Sequence, residues 1–145
     1  MSDAVDVLLY IALSEEFEAL KKELGDGFLP QELSDAALTV YLGKIHSSVL
    51  DRDFSVAVVP AGKMGNTRSA TTASVLIEKF KPADVIVLGI AGSLSNDMEP
   101  GDVFVPESVN EYLANSATTG NGDRWEFQTS GDQFQTSVRL LNRLA

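Results

Sequence analysis

The sequence contains no cysteine, a single histidine, and only 11 basic residues against 21 acidic ones. Without cysteine the chain has no disulfide framework and no thiolate chemistry, which is consistent with a reducing cytoplasm. No spacing of histidine and carboxylates typical of a metal site is present, so neither a metal nor another cofactor is predicted. The net charge of −10 disfavours binding to nucleic acid and to anionic membrane surfaces, because their phosphates would be repelled. A small, neutral or cationic ligand is the expected partner.

Long hydrophobic runs are also missing. The first 20 residues, MSDAVDVLLYIALSEEFEAL, have no basic region and an apolar run too short to span a bilayer. Secretion and membrane insertion are therefore disfavoured, and a cytoplasmic location is expected. With 145 residues and 44% hydrophobic residues, the chain is long enough for one core. A single domain over residues 1–145 is predicted.

Apolar segments of strand length alternate with segments of helical period. Strong strands are predicted at residues 5–12, 54–59 and 85–88, a weaker hairpin or edge strands around Gly43, and a further strand at residues 103–105. A helix with Ser14 as its N-cap follows the first strand, and Gly25 and Gly27 should end it. A second helix precedes the strand at 85–88, with one apolar face formed by Ala70, Ala73, Ile77 and Phe80. This order predicts a three-layer α/β/α fold with a mixed, mostly parallel central sheet.

Three turns are expected at the carboxyl ends of the strands, where such sheets bind their ligands. The first, ALSEE (12–16), places Glu15 and Glu16 at a helix start, where a carboxylate could act as a general base or be ordinary first-turn composition. The others, PAGKMGN (60–66) and GIAGSL (89–94), are rich in glycine. Glycine there either lets a ligand approach the backbone or permits a tight turn and close packing.

Three segments together resemble one family, the methylthioadenosine/S-adenosylhomocysteine nucleosidases of the nucleoside phosphorylase superfamily. They are IALSEEFEAL (11–20), AGKMGNTRSATTASVLIEKFKP (61–82) and DVIVLGIAGSLSNDMEPGDVFVP (84–106), in the family's order and with its approximate separations. The resemblance implies a nucleoside phosphorylase-like fold, a small-molecule nucleoside substrate and a homodimer. The activity that it implies is hydrolysis of the N-glycosidic bond of an adenosine derivative.

The resemblance also implies roles for individual residues. Glu16 matches the glutamate that positions and activates the water attacking the ribose anomeric carbon. Met64 and Gly65 match the turn beside the ribose and its 5′ substituent. Ala91 and Gly92 match the turn whose backbone lines the sugar and base pocket. Such roles are chemically coherent, because a carboxylate near the anomeric carbon stabilises an oxocarbenium-like ribosyl.

The chain departs from the family pattern at several positions. Lys63 replaces the first glycine of the turn near the 5′ group, and Ile90 replaces a small hydroxyl residue. Val87 stands where many phosphorylases place a phosphate-binding arginine, and their early GDP.R motif is missing. Water is therefore favoured over phosphate as the nucleophile.

The resemblance covers about the N-terminal 60% of the family domain. The family's ribose-gripping stretch and the aspartate that protonates the leaving purine have no match in this sequence. The C-terminal portion of the domain is therefore expected to be missing, and the chain is expected to be inactive by itself.

Other functions stay open at this point. A nucleoside phosphorylase, or a nucleosidase of adenosine nucleotides with Lys63 near a 5′ phosphate, would belong to the same superfamily. A non-catalytic nucleoside-binding or regulatory module is a third possibility. Similarity to a response-regulator receiver is superficial, because Gly89 stands where the phosphoacceptor aspartate should be.

Overall fold

The structure is a computed structural model that describes residues 4–34, 37–62, 66–111, 117–121, 124–128, 131–138 and 142. It contains two compact units, a first that ends at Gly92 and a second that begins at Ser93. A single domain over residues 1–145 stays a prediction.

The first unit is built around a five-stranded sheet with the order β2-β3-β4-β1-β5. The strands are β1 (Val7–Ile11), β2 (Leu29–Leu33), β3 (Leu38–Ser47), β4 (Arg52–Pro60) and β5 (Asp84–Leu88). Strand β1 pairs in parallel with β4 on one side and β5 on the other, whereas β2, β3 and β4 pair antiparallel. The predicted mixed sheet and its three strong strands are confirmed.

Helices α1 (Ser14–Leu24) and α2 (Asn66–Phe80) pack on opposite faces of this sheet. Side chains alternate along the strands, so Leu8 and Tyr10 of β1 share a core cluster with α2, and Ile11 shares one with α1. The partners from the helices are Leu76 and Phe80 on one face and Phe17 on the other. Burial of each large apolar side chain contributes roughly 1.5–3 kcal/mol. Two clusters on opposite faces give the predicted three layers.

Helix α1 begins and ends near the predicted residues. Its N-cap is Leu13, so the prediction of Ser14 as the cap is wrong by one residue, and Ser14 is the first helical residue. Gly25 ends the helix as predicted, with a left-handed φ of 64° and its N–H donating to the carbonyl of Lys21. Glycine adopts this conformation without the steric cost that a Cβ would bring.

The buried face of helix α2 differs from the predicted one. Leu76 and Phe80 are fully buried, one turn apart, whereas the side chain of Ile77 is 43% exposed. Successive helical residues are rotated by about 100°, so Ile77 leaves the face on which Leu76 lies. The prediction that Ile77 belongs to the core face is therefore wrong.

The second unit contains two antiparallel strand pairs. Strand β6 (Ser108–Asn110) pairs with β9 (Gln133–Gln135), and β7 (Ala117–Asn121) pairs with β8 (Arg124–Gln128). The strand predicted at residues 103–105 is not observed, and Val103 there is 90% exposed. The helix predicted from residue 136 onward lies mostly outside the described residues. Among the described helices, none is long and apolar enough to cross a membrane.

Candidate functional site

Three parallel strands end side by side at one edge of the sheet. Ile11 at the end of β1 is in register with Pro60 of β4 and with Leu88 of β5. The N–H of Ala61 also donates to the carbonyl of Ile11, at 2.8 Å. The turns that follow the three strands therefore start at the same level, as expected for a ligand site at the carboxyl ends of parallel strands.

Glu16 is the residue that connects two of these turns. Its Oε2 accepts a hydrogen bond from the N–H of Leu13 at 3.1 Å, within the turn that follows β1. Its Oε1 accepts one from the N–H of Ile90 at 2.8 Å, in the turn that follows β5. Glu16 lies in the first turn of α1, where the helix dipole also favours a negative charge.

Gly89 approaches the Glu16 carboxylate closely. A Cβ placed on Gly89 would lie 3.1 Å from Oε1 of Glu16 and 3.5 Å from its Cδ. Gly92 differs, because no described atom outside Gly92 and its two chain neighbours lies within 4 Å of the position that its Cβ would take. The sequence left open whether these glycines permit close packing or let a ligand approach the backbone. Close packing fits Gly89, whereas open space for a ligand fits Gly92.

The turn after β5 is accessible. Ala91 and Gly92 are exposed, and the side chain of Ile90 is 82% exposed. Glu16 is partly exposed, and each carboxylate oxygen has two lone pairs, of which the backbone N–H groups use one. The carboxylate can therefore accept a further hydrogen bond from water or from a ligand hydroxyl.

The turn after β4 is described only at its start. Gly62 has a left-handed φ of 66° with no described atom within 4 Å of its Cβ position, so its backbone conformation favours glycine. Met64, Gly65 and Lys63 lie outside the described residues. The structure thus brings Glu16 next to the turn that carries Ala91 and Gly92.

Other candidate sites in the described part of the chain would be a metal centre or a recess away from the carboxyl edge of the sheet. No group of histidine and carboxylate side chains that could hold a metal is found among the described residues. A recess lies beside the second half of α1 and contains none of the predicted site residues. Its lining includes Phe17, Lys21, Leu24, Phe28 and Tyr41.

Sequence reasoning did not identify the two backbone donors to Glu16. The sequence carries a weak indication of the bond from Leu13. A glutamate three residues after the N-cap is half of a capping box, but the Ser or Thr that usually forms the other half is replaced by leucine. The bond from Ile90 joins residues 74 positions apart. Such a pair cannot be found from local patterns.

Comparison with known proteins places these features in a family. A model of the family described as "Phosphorylase superfamily" matches residues 6–144. The chain is similar to proteins named 5'-methylthioadenosine/S-adenosylhomocysteine nucleosidase. The relative from Oceanobacillus iheyensis is 33% identical over 98 residues, which are 68% of this chain and 38% of the relative. The relative from Staphylococcus epidermidis is 31% identical over 109 residues, 75% of this chain and 43% of the relative.

A third relative, from Staphylococcus aureus, aligns over more of the chain. It is 30% identical over 134 residues, which are 92% of this chain and 54% of the relative. The alignments thus span between 38% and 54% of the length of these curated relatives.

Proposed function

Because the chain belongs to the phosphorylase superfamily, we propose that it forms part of a nucleosidase that hydrolyses the N-glycosidic bond of an adenosine derivative. Methylthioadenosine and S-adenosylhomocysteine are the proposed substrates, as the names of the relatives suggest. The observation that carries the proposal is the Glu16 carboxylate, bound by backbone N–H groups of two turns at the carboxyl edge of the sheet.

The reaction requires a water molecule held beside the anomeric carbon of the ribose. In the proposed mechanism Glu16 accepts a proton from this water while the water oxygen bonds to the anomeric carbon. The N-glycosidic bond breaks, and the purine leaves with its electron pair and takes up a proton from an acid group in the remainder of the complete protein or from solvent. Positive charge develops on the ribosyl group in the transition state, and a nearby carboxylate stabilises that charge.

The proposed substrate position lies over the turn that follows β5. Open space beside Gly92 would allow the sugar and base to approach the backbone of Ala91 and Gly92. Met64 and Gly65 are proposed to lie beside the ribose and its 5′ substituent, on the turn that follows β4.

Water is the proposed nucleophile because this edge offers little to bind phosphate. Residues 85–102, which include the turn after β5, contain no lysine or arginine. Val87, at the position of the phosphorylase arginine, is apolar and 74% exposed. An anion there would lack the charged donors that bind phosphate strongly.

The test is adenine release from methylthioadenosine and from AMP, with and without added phosphate. The proteins compared are this chain, the complete product of its gene, and Glu16→Gln and Glu15→Gln in that product. We expect phosphate-independent release from methylthioadenosine by the complete product, and a loss of about 10²- to 10⁴-fold in Glu16→Gln, as for a general base. Glu15→Gln is the matched control and should retain activity, because no hydrogen bond ties Glu15 to the turn after β5 among the described residues.

Other results would contradict the proposal. Release that depends on phosphate would make the protein a phosphorylase, and preference for AMP would make it a nucleotide nucleosidase. Adenosine binding without release would make it a nucleoside-binding module. Full activity in Glu16→Gln would remove Glu16 from the mechanism.

A homodimer and a cytoplasmic location are further parts of the proposal. Strand β5 is outermost in the described sheet, and its exposed Val87 supports pairing with a second copy, since outer strands with apolar side chains tend to associate. The absence of cysteine supports the cytoplasm. Light scattering on the purified protein tests the dimer, which a monomeric mass would rule out.

A further inference from the structure

We propose that Gly89 is a positioning residue for Glu16. The absence of a side chain at Gly89 and the N–H of Ile90 together fix the direction of the Glu16 carboxylate at the edge of the sheet. The catalytic consequence rests on the proposed function, whereas the positioning itself does not.

The two hydrogen bonds to Glu16 act on different oxygens and come from different parts of the chain. The bond from Leu13 to Oε2 is local, spanning three residues, and by itself leaves the carboxylate free to turn about its terminal torsion. The bond from Ile90 to Oε1 adds a second fixed point from the end of β5. With both oxygens bound, the plane of the carboxylate is defined.

The need for glycine at position 89 is spatial. The φ of Gly89 lies outside the left-handed region, so its backbone conformation is open to other residues. The nearest atoms to a Cβ would be Oε1 at 3.1 Å and then Cδ and Oε2, each at 3.5 Å, all from Glu16. A methyl group at position 89 would therefore meet the Glu16 carboxylate first.

Gly89→Ala should shift the carboxylate and leave the fold intact. The contact at 3.1 Å requires Oε1 of Glu16 to move by a few tenths of an ångström, which is possible because this atom is at the far end of a flexible side chain. Displacement of Oε1 lengthens its bond to the adjacent N–H of Ile90, now 2.8 Å. The bond to Leu13, made by the other oxygen, should persist.

The first test is the backbone amide NMR spectrum of this chain during acidification. In the unaltered protein, the Ile90 and Leu13 amide resonances should both move on acidification, because both N–H groups donate to the Glu16 carboxylate. In Gly89→Ala the Ile90 response should be lost and the Leu13 response retained. Glu16→Gln should abolish the acid response of both amides, because its side chain carries no carboxylate.

Two further variants make this test decisive. Gly27→Ala is the matched control, since Gly27 has no left-handed φ and no described atom near its Cβ position, and both responses should be unchanged. Glu16→Asp shortens the side chain by one methylene, so it should lose the Ile90 response without any change at position 89. An unchanged Ile90 response in Gly89→Ala would overturn the proposal. Loss of both responses together with thermal unfolding would also overturn it, since the fold would then need the glycine.

The second test separates positioning from the proposed function. In the complete gene product, Gly89→Ala should lower kcat for methylthioadenosine by about tenfold to about 100-fold with little change in KM, because a misplaced catalytic group slows the chemical step. Gly27→Ala should leave kcat unchanged. If hydrolysis needs Glu16 but Gly89→Ala has an unaltered kcat, the catalytic role of positioning fails and the function stands. If no hydrolysis occurs at all, the function fails and the amide result decides on positioning alone.

Discussion

Asp6 ties the start of β1 to the neighbouring strand β4. Its Oδ2 accepts hydrogen bonds from the Ser55 hydroxyl at 2.7 Å and from the Ser55 N–H at 2.8 Å. These two bonds hold the pKa of Asp6 below its usual value, partial burial opposes them, and the Arg52 guanidinium adds a smaller lowering effect. Arg52 lies 3.7 Å from Oδ1 and is half-exposed, so its ion pair contributes little to stability.

Asp6→Asn should lower the free energy of unfolding by about 1 kcal/mol at pH 7, since the two Ser55 donors then meet an uncharged amide oxygen in place of a partly exposed carboxylate. A folded-state pKa below the unfolded value stabilises the protein above the unfolded pKa of about 3.9, and this contribution is lost as the pH falls through the folded pKa. The difference between Asp6→Asn and the unaltered protein should therefore shrink below about pH 4. Urea denaturation of both proteins at pH 7 and at lower pH measures this difference in the free energy of unfolding.

The control for this prediction is Asp26→Asn, which alters an exposed carboxylate at the end of α1. Its stability should change little at either pH. A difference between Asp6→Asn and the unaltered protein that stays constant down to pH 3 would show that the charge of Asp6 is not the cause.

The residues of the site were only partly predictable from the sequence. The position of Glu16 after an apolar strand, at a helix start, indicated a carboxylate at the carboxyl edge of the sheet. Its contact with Gly89 and Ile90 was not predictable, because it depends on β5 lying next to β1, and local patterns carry no strand order. Met64 and Gly65 stay predictions, since they lie outside the described residues.

Among the elements, strands were predicted better than helix faces and edges. Continuous apolar runs identified β1, β4 and β5, although only β1 and β4 have largely buried side chains, whereas most side chains of β5 are exposed. Strand β2 was not predicted, since four of its five residues are exposed. Residues 103–105 show the opposite error, since a strand was predicted there and none is observed. Apolar side chains alone do not make a strand, because a strand also needs a neighbouring strand with which to form hydrogen bonds.

Helix α2 offers a direct test of which face holds the core. Leu76→Ala should lower the free energy of unfolding by about 2–5 kcal/mol, because it removes most of a fully buried side chain and leaves a cavity in its place. Ile77→Ala, one residue further along and 43% exposed, should cost less than about 1 kcal/mol. Urea denaturation of both variants measures the difference, and equal losses would contradict the assigned face.

At the scale of the whole molecule, the family match extends from residue 6 to residue 144, across the boundary between the two compact units at Gly92 and Ser93. The match supports the proposal of a single domain over residues 1–145. A single domain of this size unfolds as one cooperative unit, so every probe should report the same transition.

The chain provides a probe for each unit. Its single tryptophan, Trp125, belongs to the second unit, whereas both long described helices belong to the first and dominate the helical circular dichroism. We expect coincident urea transitions from tryptophan fluorescence and from circular dichroism. Leu76→Ala, which weakens only the core of the first unit, should move both transitions to lower urea together. If it moves the circular dichroism transition and leaves the Trp125 transition in place, the units unfold independently and residues 1–145 are two domains, because cooperative unfolding couples every probe to one free energy.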